Sequence, residues 1–250
     1  MSSFNDDLHR EVASEDGSYT AYSSEYNEHY HSTKDGALKE SYQKHVIPAY
    51  KLQKQKNELS ILDICYGLGF NTLCTVLYYQ KHSPATKVYI YSPELDASLV
   101  ASLKNFHYPD EFIKLRDIII ALSENAFYED EMLYIEIFLG DAREYVRRFK
   151  NFFDIVYQDA FSPSVNPVLW TQEYFADIAM SMKEDGVLTS YSTALATRLA
   201  LYRNGFFVYL NEGEEFRNAT IASRRALNDY KQVNMEHKIT CNPEAEPLRD

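Results

Sequence analysis

The chain has 250 residues and a formal net charge of -12, with 45% hydrophobic and 25% charged residues, including 21 Tyr and 14 Phe. That length and apolar content support one domain with a real core and exclude disorder as the main state. The acidic balance excludes broad, non-specific nucleic-acid binding but allows a local basic patch. Cys65, Cys74 and Cys241 form neither a disulfide framework nor a zinc set. No apolar run reaches the roughly 18 residues of a membrane span, and the N-terminus lacks the regions of a signal peptide. A soluble, cytoplasmic protein is expected, with no membrane partner.

In chain order, residues 1–20 are polar and acidic and read as loosely ordered. Tyr19, Tyr22, Tyr26, Tyr30, Tyr42 and Tyr50 are then interleaved with charges and histidines, first as a short hairpin or loop and then as a helix over 37–56. Leu59–Ile64 reads as a strand ending in Gly67-Leu68-Gly69, followed by a helix over Asn71–Gln80. Lys87–Ser92 is a strand, and Asp96–Phe106 and Asp110–Phe127 read as helices. Met132–Leu139 alternates as a strand and leads to a helix from Asp141. Phe153–Gln158 is a buried strand, Thr171–Lys183 a helix with Thr171 near its N-cap, Gly186–Ser192 a strand and Thr193–Arg203 a helix. Phe206–Leu210 and Phe216–Ser223 close as a hairpin, and the last ten residues read as a tail. Strands alternating with helices predict a parallel sheet covered on both faces, with one antiparallel strand from the final hairpin.

Four segments carry chemistry. In Asp63-Ile64-Cys65-Tyr66-Gly67-Leu68-Gly69-Phe70-Asn71-Thr72, the glycines after a strand allow close backbone approach to a ligand. A dinucleotide fingerprint would need a third glycine where Thr72 stands. Asp63 at the strand end would repel a pyrophosphate but suits an ammonium, as in S-adenosylmethionine; the plain alternative is a tight turn. In Ser92-Pro93-Glu94-Leu95-Asp96, Glu94 is placed for ribose hydroxyls and Asp96 for a helix N-cap. In Gly140-Asp141-Ala142, Asp141 is either an N-cap or a carboxylate facing an adenine amine. In Asp159-Ala160-Phe161-Ser162-Pro163, Asp159 and a backbone carbonyl can hold an amine with its lone pair aimed at a methyl donor, while the Phe161 ring stabilises positive charge. The alternative is a turn before Pro163. All these acids emerge at carboxyl ends of strands, where open sheets bind ligands.

These segments, in this order, resemble class I S-adenosylmethionine-dependent methyltransferases. Asp159-Ala160-Phe161-Ser162-Pro163, with Asn166-Pro167, Trp170-Thr171 and Phe175, is similar to the D-G-F-A-P…N-P…W-T…F signature of the MnmC-like methyltransferase family of tRNA 5-methylaminomethyl-2-thiouridine biosynthesis. Tyr30-His31-Ser32, Gly36-Ala37-Leu38 and Glu40-Ser41 resemble the family's entry segment. Thr189-Ser190-Tyr191-Ser192 and Gly205-Phe206 resemble its later strands. The resemblance spans roughly residues 20–225. Two departures stand out: Cys65 replaces a glycine, and Gly213-Glu214-Glu215-Phe216-Arg217-Asn218-Ala219 is acidic where the family is basic.

The resemblance implies a Rossmann-like α/β fold with a seven-stranded mixed sheet. It divides the chain into an N-terminal appendage and lid (1–58), a methyltransferase domain (59–225) and a C-terminal tail (226–250). It implies S-adenosyl-L-methionine held by Tyr30, Glu40, Asp63, Gly67, Gly69, Asn71, Glu94, Asp141, Ala142 and Asp159. Asp159, Ala160 and Phe161 would form the catalytic loop, and Tyr30, Glu40 and Ser41 the lid. The implied reaction is N-methylation of 5-aminomethyl(-2-thio)uridine at the tRNA wobble position, by a stand-alone form without the flavin oxidase domain. Other enzymes would supply the aminomethyl precursor and the thiolation. His29, His31 and His45 lack partners at metal-ligand spacing, so no metal is expected. Arg217, Arg224 and Arg225, or Arg143, Arg147 and Arg148, are the candidate phosphate contacts. The alternatives are a methyltransferase of the same fold acting on a small amine or metabolite, and a non-catalytic S-adenosylmethionine-binding module.

Overall fold

The computed structural model describes residues 4–214 and 216–250. Glu215, in the acidic late segment, lies outside the described residues, as do positions 1–3. The chain opens with β1 (His9–Ala13), β2 (Tyr19–Ser23) and β3 (Glu28–His29), which form a small antiparallel sheet. The polar stretch expected to be loose is therefore partly ordered. Pairing with β2 satisfies the backbone of β1, and Phe4 is buried edge-on against Phe106 with ring centroids 4.8 Å apart.

The helix expected over 37–56 runs as α1 (Ala37–Glu40), a π-helical segment Ser41–Val46 and α2 (Ile47–Gln53). Val46 and Ala49 on it are fully buried in the same cluster as Leu59 and Ile61. β4 (Glu58–Ile64), α3 (Phe70–His82), β5 (Lys87–Glu94) and α4 (Ala97–Ser102) follow close to expectation. The helix expected over 110–127 splits into a 3-10 stretch, Asp110–Leu115, and α5 (Arg116–Asn125). Ala126, at φ 55°, ends α5 in the left-handed region, and β6 (Phe127–Glu129) turns back along β7 (Leu133–Leu139).

Then come α6 (Ala142–Val146), β8 (Phe153–Gln158), α7 (Gln172–Ser181), β9 (Met182–Ser190), α8 (Leu195–Arg203), β10 (Phe207–Asn211) and β11 (Ala219–Ser223). Thr171 caps α7 as the sequence suggests, accepting from Tyr174 N at 3.1 Å. The expected tail carries β12 (Lys231–Gln232) and α9 (Met235–Cys241). Beyond them Leu248 pairs with Thr171, and Asp250 accepts from the Thr171 hydroxyl at 2.7 Å.

The main sheet has nine strands in the order β12-β10-β11-β9-β8-β4-β5-β7-β6, not the expected seven. The two extra strands, β6 and β12, are short edge strands paired antiparallel to their neighbours. Between them lie seven strands, parallel except for β11. Alternate residues of the central strands feed two cores: Leu59 and Ile61 pack on one face, Leu62 and Ile64 on the other. Strand order reverses between β4 and β8, and that switch point opens a crevice beyond the strand ends.

Candidate active site

The turn after β4 is held by unusual backbone. Cys65 sits at φ 64°, a left-handed conformation that costs a β-carbon residue about 1–2 kcal/mol. Gly69 follows at φ 76°, and a Cβ there would lie 2.6 Å from the Tyr66 hydroxyl. Gly67, at φ 53°, faces Tyr30, whose ring would lie 3.2 Å from a Cβ. Gly67 admits Tyr30 from the N-terminal segment, Gly69 admits Tyr66, and Cys65 occupies a position that favours glycine.

Two cavities open over the crevice. The first, about 490 Å³, is lined by Glu94, Asp96, Asp141 and Ala142 from the β5 and β7 ends, with His9, Tyr26 and Tyr30 from the N-terminal segment. Among the described residues lining it there is no lysine or arginine. Glu94 accepts backbone N–H bonds from Gly67 at 2.8 Å and Asp96 at 3.0 Å. Burial nonetheless pushes its carboxyl above the ordinary range. Asp96 caps α4 and Asp141 caps α6. The N-cap alternative thus holds for Asp141, and the residue also borders the cavity.

The second cavity, about 740 Å³, is lined by Asp159, Ala160, Tyr191, His31, Glu40, Lys44 and Arg217, among others. Tyr30, Cys65 and Phe161 line both cavities. The Asp159-Ala160-Phe161 loop is fixed from several sides. Tyr191 Oη donates to Ala160 O at 2.9 Å, and Trp170 Nε1 donates to Phe161 O at 2.8 Å. Ser162 N donates to Glu28 at 3.1 Å, and Tyr26 stacks on Phe161 with centroids 4.6 Å apart. A rigid loop holds a reacting side chain in place without reordering.

Of the residues expected to hold the cofactor, Asp63, Gly67, Gly69 and Asn71 line neither cavity. Asp63 is 1% exposed and accepts from the Thr72 hydroxyl at 2.7 Å. Burial, with Asp159 nearby adding to it, pushes its carboxyl up to about 8. Asn71 Nδ2 donates to Asp159 Oδ2 at 2.7 Å and lies 3.5 Å from Asp63 Oδ1, bridging the two acids. Glu40 is buried beside Lys44 at 2.6 Å and His31 at 3.6 Å. Burial alone would raise its pKa, but those two partners outweigh it and hold the carboxyl well below the usual carboxylate range. Ser41 is fully buried and lines neither cavity. Burial pushes the Cys65 thiol up, with Glu94 and Asp159 adding to the shift, so it stays protonated.

The sequence reading passed over His9 and Lys44 and weighed His45 only as a metal ligand. His9 is buried on β1, 3.4 Å from Asp96. His45 is fully buried with Nε2 3.4 Å from Asp159 Oδ1. A Lys44-His45 pair inside an otherwise packed helical face was the available signal. Among the described residues no group of three His, Cys, Asp or Glu is placed to hold a metal ion. Among the described residues no helix is long and apolar enough to cross a membrane.

The candidate phosphate contacts separate in space. Arg217 borders the Asp159 cavity. Arg224 and Arg225 lie at the far end of β11, on Met182 O and Glu184. Arg143 pairs with Asp250 and Arg147 with Asp177, while Arg148 lies over the Phe138 ring. Arg217, Arg224 and Arg225 therefore form no single patch: β11 spans five residues, about 17 Å at strand rise.

Comparison with known proteins agrees with this architecture. A family model described as S-adenosyl-L-methionine-dependent methyltransferase matches residues 114–225. An uncharacterised protein of Methanocaldococcus jannaschii is 31% identical over 242 residues, covering 96% of this chain and 67% of that protein. The bifunctional tRNA 5-methylaminomethyl-2-thiouridine biosynthesis protein MnmC of Aeromonas hydrophila is 22% identical over 233 residues, 86% of this chain; the chain spans 35% of that protein's length. The crystal structure of MnmC2 from Aquifex aeolicus superposes with a TM-score of 0.85 at 33% identity, over 97% of this chain and 79% of that one. With that overlap in sequence and fold, the chain belongs to the MnmC-like family of S-adenosyl-L-methionine-dependent methyltransferases.

Proposed function

We propose that the protein N-methylates the aminomethyl group of 5-aminomethyluridine, 2-thiolated or not, at the wobble position of tRNA. The observation that carries this reading is the meeting of the two cavities at Tyr30, Cys65 and Phe161. One cavity is acidic and suits a phosphate-free nucleoside; the other presents Asp159 to an amine.

The first cavity fits S-adenosylmethionine on its own chemistry. Its acids would repel a pyrophosphate, and its volume falls in the range of cofactor sites. Glu94 keeps lone pairs free of its two backbone bonds for the ribose hydroxyls. Asp141 and Ala142 border the adenine end. Behind the junction, Asn71 Oδ1 is a buried acceptor with no protein partner. Beside the Gly67–Gly69 turn it suits an ammonium tail, while Asp63 stands sealed behind Thr72 and Asn71. Tyr30 closes the site from the N-terminal side, whereas Glu40 lines only the second cavity. When bound, S-adenosylmethionine supplies an electrophilic methyl group on sulfur.

The remaining work falls to the chain. Tyr30 and Phe161 line the junction of the two cavities, where aromatic rings stabilise positive charge. Asp159 accepts an N–H of the acceptor amine, aims its lone pair, and stabilises the charge that develops on nitrogen; a proton then leaves to Asp159 or to water. The substrate must arrive with its aminomethyl group already installed, so other enzymes supply it.

Asp159→Ala should keep the fold and cofactor affinity but lose roughly 2.7–4 kcal/mol of transition-state stabilisation, the worth of comparable electrostatic contacts. Single-turnover methyl transfer to tRNA carrying 5-aminomethyluridine measures it. A near wild-type rate for the variant would remove Asp159 from the mechanism. A second reading, a small cationic amine as acceptor, is favoured by Glu28, Asp35 and Glu40 around the second cavity. Mass spectrometry of wobble nucleosides from a strain lacking the gene separates the two: the tRNA reading requires the aminomethyl nucleoside to accumulate.

A further inference from the structure

His45 lies on the π segment Ser41–Val46. A π turn widens the helix and occurs often at functional sites. The consecutive residues Lys44, His45 and Val46 on it are all buried, with exposures of 4%, 0% and 0%.

The His45 ring carries polar edges into the interior, and these need partners. Nδ1 lies 2.9 Å from Thr189 Oγ1. Nε2 lies 3.4 Å from Asp159 Oδ1 and is a buried ring nitrogen with no hydrogen-bond partner. Asn71 Nδ2 holds the other Asp159 oxygen at 2.7 Å. The two oxygens of one carboxylate are thus approached from behind by two different elements.

We propose that His45 is a positioning residue for methyl transfer, which with Asn71 clamps the Asp159 carboxylate so that its free lone pairs face the acceptor amine. This rests on the reading of Asp159 given above. An aspartate carboxylate rotates easily about its last torsion, and a single bond to Asn71 would leave that rotation soft. A second donor on the other oxygen stops it. Thr189 admits the tautomer this requires: when its hydroxyl donates to Nδ1, the ring proton resides on Nε2 and faces Asp159. The opposite tautomer would set lone pair against lone pair. The 3.4 Å separation shortens when a bound amine draws the carboxylate into place, as contacts around reacting groups do in the loaded site.

Steady-state and single-turnover methyl transfer by the full chain, on tRNA carrying 5-aminomethyluridine, test this. His45→Leu keeps bulk but removes the N–H; His45→Gln keeps a side-chain N–H at similar reach. The leucine variant should lose kcat by on the order of ten- to hundred-fold, the usual effect of losing an outer partner of a functional group. KM for tRNA and affinity for S-adenosylmethionine should stay near wild type, and the glutamine variant should regain most of the rate. In an Asp159→Ala background the leucine change should add nothing, because it acts through Asp159. Unchanged kcat in the leucine variant overturns the proposal, as does a loss that glutamine fails to recover or one that persists without Asp159. Should the leucine variant not fold, Thr189→Val, which matches threonine in shape, carries the same test: kcat falls with KM held, or the proposal fails. Asp159→Ala at the wild-type rate sinks the Asp159 reading itself; an inactive Asp159→Ala beside a fully active His45→Leu sinks only the role of His45.

Discussion

Glu94 and Asp63 are both acids at strand ends, and their surroundings give them different tasks. Glu94 borders the first cavity with two backbone bonds and free lone pairs. Glu94→Ala should weaken S-adenosylmethionine binding by about 1.5–3 kcal/mol, the worth of charge-assisted hydrogen bonds. Calorimetry with chelator present measures it, and an unchanged affinity would pass the ribose role to Asp96. Asp63 is sealed behind Thr72 and Asn71. In the unfolded chain its carboxyl ionises near 3.8, whereas burial holds the proton in the fold to about pH 8. Between those values the folded state binds the extra proton, so this group's contribution to stability falls as pH rises through that window. Asp63→Asn should therefore lose less Tm than wild type between about pH 5 and about pH 8; an equal loss would show that Asp63 does not titrate in that window. Both acids were visible in the sequence as rim residues. Their difference was not, because it depends on which neighbours cover them.

At the scale of elements, the functional and the structural ends of the sheet separate. The site lies at the carboxyl ends of β4, β5, β7 and β8. At the opposite end, Asp154 at the start of β8 is fully buried and joins three strands or their approaches. It bonds Lys56 Nζ at 2.6 Å, Ser60 N at 2.8 Å and Lys183 Nζ at 2.8 Å. Asp154→Ala should cost about 2–4 kcal/mol. An unsatisfied Ser60 N–H contributes, and the broken ion pairs contribute less than a fully buried pair because both lysines reach water. Urea unfolding measures this; methyl transfer should hold at temperatures where both proteins are folded. Most elements were legible: Phe153–Gln158 coincides with β8, and the Thr171 cap is where the sequence puts it. The π segment was not legible, since its pattern reads as an ordinary helix and only packing against the sheet rim sets the wider turn. Nor was β1, whose polar residues gain their order from pairing with β2.

Across the whole molecule, the net charge of -12 confines any attraction for phosphate to a local region. Arg217 borders the second cavity beside Lys34, His29 and His31, whereas Arg224 and Arg225 are engaged at the far end of β11. Arg217→Ala should reduce the salt dependence of tRNA affinity by about one unit of slope, since one guanidinium neutralises one phosphate. Neutralising Arg224 and Arg225 together should leave the slope unchanged. A filter-binding titration decides it, and the reverse pattern would place the tRNA at the opposite end of the sheet.

The order of strands and helices, and the acids and glycines following particular strands, were determined by the sequence alone. Hydrophobic periodicity and turn chemistry are local properties, and a resemblance in motif order carries the fold with it. The left-handed backbone of Cys65, the sealing of Asp63, the meeting of two cavities at Tyr30, Cys65 and Phe161, and the approach of His45 to Asp159 were decided only by the tertiary structure. Each depends on residues far apart in the chain: His45 and Thr189 are 144 positions apart, and Asn71 and Asp159 are 88 apart. Local pattern holds no record of such distances, because packing of the N-terminal segment onto the sheet rim, and not any stretch of sequence, brings those side chains together.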